Sequence, residues 1–335
     1  MEYRILGKTG LRVSRMGFGG LPIQRADEAA CKEILHHLAE LGVNYIDTAR
    51  LYTVSEEYIG KALVGIRDKF VIATKSMARD KETMARDVEL SLKNLQTDYI
   101  DLYQIHNPNA EAFAQIVAPG GALEALQEAK AAGKIGHIGF TSHTVEMAQR
   151  ALQEDWVETL MFPYNIVENQ GDEIIRACRE KNVGFISMKP LAGGAITDGT
   201  IALRFIAANK NVDVLIPGMD DPKQVQENYD AIENPEELSQ EELEKIAAIR
   251  KDLGTNFCRR CNYCAPCTVG INIPLMFLND SYLTRYGLPE WAKTKYAALE
   301  KHASDCIVCG ACEHRCPYHL PIRDMLMKVA ERFGY

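Results

Sequence analysis

The sequence predicts an α/β chain: a (β/α)8 TIM barrel over residues 1–250, followed by a small, mainly helical, cysteine-rich domain over residues 251–335. Three observations carry this reading. Eight short apolar runs alternate with amphipathic stretches across the first part of the chain. Of ten cysteines, only Cys31 and Cys178 precede residue 258, and the other eight crowd between Cys258 and Cys316. Finally, 335 residues with 47% hydrophobic content suit one large core and a small one.

The chain opens with Tyr3 to Leu6 and Leu11 to Val13 flanking Gly7-Lys8-Thr9-Gly10, a turn-rich segment that reads as a hairpin closing the bottom of the barrel. The apolar runs begin near Met16, Tyr45, Phe70, Tyr99, His137, Thr159, Gly184 and Asp213. Their β-branched and aromatic content marks strands, and a mean spacing of about 28 residues suits a parallel barrel. Apolar residues at i, i+3 and i+4 mark helices at Asp27 to Leu41, Thr83 to Leu95, Leu123 to Ala131, Gly171 to Lys181 and Gln224 to Ile232. Asp221 before Pro222 supplies a cap and first turn for the last of these. No Gly-x-Gly-x-x-Gly occurs, so a doubly wound dinucleotide fold is the weaker alternative.

Lys plus Arg total 38 and Asp plus Glu total 46, a net charge of −8, and the basic residues are scattered. That distribution argues against a nucleic-acid or anionic-membrane partner. The N-terminus has no apolar stretch of signal-peptide length, and no run of about 18 apolar residues occurs, so a soluble, cytoplasmic protein is expected.

In a barrel of this kind chemistry gathers where strands run into the loops at their C-terminal ends. There the second run presents Asp47, followed by Tyr52; the third presents Lys75; the fourth ends in His106. Singly, each has an ordinary explanation as a cap, a solvated strand end or a satisfied histidine. Together they form a proton-transfer set. A phenol with an unperturbed pKa of about 10 becomes a usable acid when an ammonium stabilises its phenolate, the service Lys75 would perform for Tyr52. Asp47 would orient Lys75, and His106 would donate a hydrogen bond that positions a substrate carbonyl.

The segments Asp47-Thr48-Ala49-Arg50-Leu51-Tyr52, Ala73-Thr74-Lys75 and Asp101-Leu102-Tyr103-Gln104-Ile105-His106 resemble the catalytic Asp, Tyr, Lys and His segments of the aldo-keto reductase family. The opening Arg4-Ile5-Leu6-Gly7-Lys8-Thr9-Gly10-Leu11-Arg12-Val13-Ser14 is similar to that family's start, and the likeness extends over roughly the first 235 residues. The resemblance implies hydride transfer between NAD(P)H and a small-molecule carbonyl or alcohol. It also implies nicotinamide contacts at Ser142, His143 and Asn165, with Met188 where many members place an aromatic ring. An adenosine-phosphate site is implied around Gly218 and the helix through Glu227 and Asn228. Members selective for NADP usually carry an arginine four residues before that asparagine; here the position is Gln224, with Lys223 beside it as a point charge, so a weakened NADP preference is expected. A flavin in the same barrel is the open alternative.

The tail reads Cys258-x-x-Cys261-x-x-Cys264-x-x-Cys267 and Cys306-x-x-Cys309-x-x-Cys312-x-x-x-Cys316-Pro317. The second run is the bacterial ferredoxin motif, in which the fourth cysteine ligates the neighbouring cluster. Resemblance to dicluster ferredoxins implies two [4Fe-4S] clusters in a crossed arrangement. Cys258, Cys261, Cys264 and Cys316 would hold one, and Cys306, Cys309, Cys312 and Cys267 the other. The first run departs from the pattern, because only two residues separate Cys264 from Cys267 and Thr268 follows in place of proline. Zinc is the alternative, although zinc sites usually space paired cysteines by a longer gap. The residues from Thr268 to Asp305 read as helices that insulate the clusters, and Ser239 to Asp252 as a junction helix.

A nicotinamide delivers two electrons as hydride, whereas a cluster passes one. Two readings follow. In one, an oxidoreductase exchanges electrons with a redox protein partner through a flavin or radical step. In the other, the clusters are structural or oxygen-sensing, on an ordinary reductase or a nucleotide-binding regulatory subunit.

Overall fold

The computed structural model describes residues 1–234, 236–254 and 256–334; Pro235, Thr255 and Tyr335 lie outside the described residues. The chain divides into two compact units. The first comprises residues 1–165, 169–190 and 198–238; the second comprises residues 166–168, 191–197 and 239–335.

The first unit opens with the hairpin read from the sequence: β1 (Tyr3–Ile5) pairs antiparallel with β2 (Arg12–Ser14) around a 3-10 turn at Gly7–Thr9. Eight parallel strands follow: β3 (Phe18–Gly19), β4 (Tyr45–Asp47), β5 (Val71–Ser76), β6 (Ile100–His106), β7 (Ile135–Thr141), β8 (Thr159–Pro163), β9 (Gly184–Met188) and β10 (Val214–Leu215). They lie side by side in chain order, and bridges Met16 to Leu215 and Gly19 to Gly218 join the first strand to the last. Gly19 is glycine for a reason: a Cβ there would stand 2.9 Å from the Ile216 carbonyl oxygen, so a side chain would hold the closing strands apart.

The barrel interior is filled by Leu6, Val13, Tyr45, Leu102, Met161, Ile186 and Val214. Because Leu6 and Val13 come from the hairpin, that element plugs the barrel. Its turn packs on the start of β9, where the Lys8 amide donates to the Asn182 carbonyl at 2.7 Å and a Cβ on Gly7 would lie 2.2 Å from the Gly184 nitrogen.

The helices Glu28–Glu40, Lys81–Asn94, Ala122–Ala131, Asp172–Glu180 and Lys223–Glu233 match the periodic stretches. Asp27 caps the first through the Ala30 amide, as its residue type predicts. The last starts at Lys223, and Pro222 rather than Asp221 occupies its N-cap, while the Asp221 carboxylate accepts from the Lys223 amide at 2.9 Å. Further helices run through Ser55–Ala62, Ala110–Val117, Val145–Ala151 and Gly199–Ala208. Ser55–Ala62 is short, and its inner face buries Ser55, Glu56 and Gly60 beside Ile59 and Ala62, so polar and apolar residues are mixed on it.

In the second unit, helices Gln240–Gly254, Ile273–Thr284, Pro289–Ala297, Ala311–Arg315 and Ile322–Phe333 surround the cysteine loops. Gln240–Gly254, which spans the expected boundary at residue 250, packs as part of this unit. The core joins Ile273, Met276, Tyr296, Leu320, Leu326 and Val329 to Cys264, Cys312 and Cys316, so the thiols are built into the hydrophobic interior. Tyr296 stacks on Phe333 with ring centroids 4.0 Å apart, and its hydroxyl accepts from the Ala303 amide. Among the described residues no helix is long and apolar enough to cross a membrane.

Candidate active site and cluster ligands

Asp47 is the last residue of β4, Lys75 lies near the end of β5 and His106 ends β6, so three neighbouring strands deliver their side chains to the same rim. Lys75 Nζ donates to Asp47 Oδ1 at 2.5 Å and to the Thr48 carbonyl at 2.8 Å. The second Asp47 oxygen accepts from Gln104 Nε2 at 3.0 Å, which fixes the carboxylate from the other side. Tyr52 follows on the loop after β4. Its ring lies 4.9 Å from Lys75 Nζ, measured to the centroid, and meets the His106 ring edge-on at 6.4 Å. The four residues singled out in the sequence therefore converge.

Asp47 and Lys75 are each 2% exposed, whereas Tyr52 and His106 are half-buried. The charged pair is thus withdrawn and the two rings face the open side. Burial pushes the Asp47 carboxyl above its ordinary range and the Lys75 ammonium below its own, while attraction between the two opposes both shifts. A positive charge beside a phenol ring stabilises the phenolate over the phenol.

Sequence reasoning missed Glu56. It is 1% exposed, pairs with Arg50, and accepts from Thr74 Oγ1 at 2.7 Å and Ser91 Oγ at 2.8 Å. Arg50 lies between Asp47 and Tyr52 in the chain, and Thr74 precedes Lys75, so one buried carboxylate ties down the backbone on both sides of the set. A lone glutamate four residues past the tyrosine carries no periodic signal. Glu56→Gln keeps the shape and loses the charge; it is expected to destabilise the fold by about 1–3 kcal/mol in denaturant titration, through loss of charge-assisted hydrogen bonds.

The residues expected to meet a dinucleotide lie at the C-terminal ends of the next strands. Ser142 follows β7, fully buried, its hydroxyl donating to the Thr144 carbonyl at 2.9 Å and accepting from the Thr144 amide. The His143 amide donates to Asn107 Oδ1 at 3.1 Å. Asn165 follows β8, also buried, with Nδ2 donating to the Lys189 carbonyl at 2.9 Å. Met188 ends β9 and packs with the barrel interior. Gly218 bridges to Gly19, and a Cβ on it would strike Pro22 at 2.6 Å. On the helix Lys223–Glu233, Glu227 is exposed and Asn228 half-buried. Gln224 Oε1 accepts from the amides of Asp220, at 2.9 Å, and Asp221, so its side chain closes the turn that opens this helix.

In the second unit, Cys267 lines one hollow with Cys306, Cys309 and Cys312. Of the other four, Cys258 lies near enough to Cys261 and Cys316 to repel them as thiolates, Cys261 likewise to Cys316, and Cys264 to Cys258, Cys261 and also Cys312. Within these loops Arg260, Asn262 and Val308 adopt left-handed backbone at φ +57°, +66° and +57°. The reversals curl the steps from Cys258 to Cys261, from Cys261 to Cys264 and from Cys306 to Cys309, and Val308, being β-branched, is the costliest to hold there. Burial, helped by neighbouring thiolates, raises Cys258 to about 11 and Cys264 to about 12. Such thiols ionise readily only with a strong cation among them, and all-sulfur donor sets of four suit iron–sulfur clusters. At Cys309 the hydrogen bond shared with Thr268 is the largest cause that lowers the thiol's pKa.

The model of the Aldo/keto reductase family matches residues 15–200, and that of a 4Fe-4S dicluster domain matches residues 257–321. The chain is 28% identical over 303 residues to L-galactose dehydrogenase of Arabidopsis thaliana, covering 74% of this chain and 94% of that protein. It is 31% identical over 217 residues to the aldo-keto reductase YhdN of Bacillus subtilis, covering 59% of this chain and 64% of that protein. Among solved structures, the holo form of aldo-keto reductase AKR11C1 from Bacillus halodurans aligns with TM-score 0.66 at 28% identity, covering 74% of this chain and 96% of that one.

Proposed function

The chain belongs to the aldo/keto reductase family and carries a 4Fe-4S dicluster domain, and from that premise we propose that it reduces a small-molecule carbonyl with Tyr52 as proton donor. It is an oxidoreductase with iron–sulfur centres, and NAD(P)-dependent hydride transfer is general to its family. The observation that carries the proposal is the buried Lys75–Asp47 pair, 2.5 Å apart, under the Tyr52 ring.

When bound, the nicotinamide supplies a hydride to the carbonyl carbon. The remaining work falls to the protein. His106 donates a hydrogen bond to the carbonyl oxygen, and Tyr52 gives that oxygen a proton as negative charge develops there. Lys75 holds its positive charge against the phenolate left behind, and Asp47, fixed by Gln104, keeps Lys75 in place. Ser142, His143 and Asn165 would hold the carboxamide, and Met188 would pack against the nicotinamide. Gly218, Glu227 and Asn228 would hold the adenosine end.

Because Gln224 is engaged in its own turn, no guanidinium fork is offered there to a 2′-phosphate. The expected outcome of titrating both dinucleotides is a ratio of dissociation constants within about tenfold, equivalent to 1.4 kcal/mol. A hundredfold preference for NADPH would contradict it.

Cys258, Cys261, Cys264 and Cys316 would hold one [4Fe-4S] cluster, and Cys267, Cys306, Cys309 and Cys312 a second, each passing single electrons. A second reading, electron exchange with a redox protein, is favoured by the exposure of Cys309 beside exposed Ile307 and Val308. Anaerobic addition of NADH or NADPH separates the readings. Bleaching of the visible cluster absorption would favour exchange through a flavin or another one-electron converter. Unbleached clusters with continuing carbonyl-dependent dinucleotide oxidation would favour the reductase alone.

A further inference from the structure

The segment Ile166–Glu168 directly follows Asn165 in the chain and is buried within the second unit. Three successive residues there are each taken by an arginine. Arg250 Nε donates to the Ile166 carbonyl at 2.9 Å, Arg259 Nε to the Val167 carbonyl at 2.9 Å, and Arg260 Nη2 to the Glu168 carboxylate at 2.5 Å. Glu168 is fully buried and Arg260 nearly so. A carboxylate so placed is tolerable only while its cation stays.

Arg259 and Arg260 are the two residues between Cys258 and Cys261. Their aim is set by that loop. Arg260 sits in left-handed backbone, which an arginine rarely adopts unless the residues on either side are fixed, and its Nη1 also donates to the Cys258 carbonyl at 3.3 Å. Arg259 lies over the Tyr318 ring, its guanidinium carbon 3.8 Å from the centroid, and Tyr318 is two residues past Cys316. Both arginines are therefore held from the loops that carry Cys258, Cys261 and Cys316.

We infer that filling the Cys258, Cys261, Cys264 and Cys316 site is a condition for tight dinucleotide binding: with the cluster in place Arg259 and Arg260 fix residues 166–168 and so aim Asn165, and without it they let go. Arg260 and Glu168 are then positioning residues that act through Asn165. The inference rests on the reading of Asn165 as a nicotinamide contact. No electron moves in this role; iron binds thiolates, and the gain is order in the preceding strand's outlet.

The test uses the full chain purified anaerobically and the same chain stripped of iron with ferricyanide and EDTA. NADH and NADPH binding is followed by nicotinamide fluorescence, and residues 164–168 by amide hydrogen exchange. Stripping is expected to weaken dinucleotide binding more than tenfold and to speed exchange in 164–168 more than tenfold, with far-ultraviolet dichroism of the barrel retained. In the loaded protein, Arg260→Ala is expected to raise the dinucleotide KM at least tenfold with kcat within threefold against an aromatic aldehyde, and Arg260→Lys to recover part of that loss. Exchange and affinity unchanged by stripping would overturn the inference. Should Asn165→Ala leave dinucleotide affinity unchanged, the reading of Asn165 falls, and with it the dinucleotide part of the inference. The exchange measurement judges the arginine hold separately.

Discussion

Tyr52→Phe is expected to lower kcat for carbonyl reduction by about a thousandfold, the size of a lost general acid, while leaving dinucleotide affinity within about twofold. The substitution removes one oxygen and keeps the ring that lies over Lys75 Nζ and against His106. Loss confined to kcat and kcat/KM would place the hydroxyl in the transition state alone. Lys75→Met should be at least as damaging, because it also leaves Asp47 as a buried carboxylate met, among the described residues, by Gln104, a cost of about 3–5 kcal/mol in stability. Asp47→Asn is the gentler partner experiment. It retains a hydrogen-bond acceptor for Lys75 but removes the opposing charge, so Lys75 should shed its proton at lower pH and the alkaline limb of activity should move down. If Tyr52→Phe retained a tenth of wild-type kcat, another group would have to be the acid.

The second large effect concerns iron. In the crossed assignment, single alanine substitutions at Cys258 and at Cys316 each empty the same site. The double variant Cys258→Ala with Cys316→Ala should then keep about four of about eight irons per chain, as each single variant does. An uncrossed assignment, one cluster for each run, predicts almost complete loss in the double variant. Cys267→Ala combined with Cys309→Ala repeats the logic at the other group, where Cys267 lines the same hollow as Cys306, Cys309 and Cys312. Because cysteines from both groups sit in the second unit's core, either loss should also lower that unit's resistance to proteolysis, since ligand binding there is folding free energy.

Much of this architecture is legible in the sequence, because the physics that fixes it is local. Each of the eight strands starts within two residues of its apolar run, since buried parallel strands need continuous β-branched and aromatic residues. The hairpin announces itself through Gly7 and Gly10, both at positive φ. Asp47, Tyr52, Lys75 and His106 could be grouped because strand order in a barrel converts sequence spacing into adjacency. The cysteine spacing is stronger still, being a chemical requirement of the metal.

What escaped reading depends on long-range partners. Glu56 matters through Arg50, Thr74 and Ser91, and only the fold brings Ser91 to it from 35 positions away. Gln224 reads as a missing arginine, but that its oxygen caps Asp220 and Asp221 is visible only in three dimensions. The grip of Arg250, Arg259 and Arg260 on residues 166–168 spans 84 to 92 positions. Arginines beside cysteines look like ordinary surface charge until their burial is known.

The most direct test of the central claim, that Tyr52 and Lys75 serve a hydride transfer to a carbonyl, follows the hydrogen itself. Anaerobically purified protein is given NADH or NADPH deuterated at the transferred position of the nicotinamide, together with an aromatic aldehyde, and the alcohol is analysed by mass spectrometry. One deuterium is expected on the carbinol carbon of every product molecule, with turnover about a thousandfold slower in Tyr52→Phe. Deuterium lost to water would contradict it, because it would mean that the electrons reach the substrate through a flavin or the clusters.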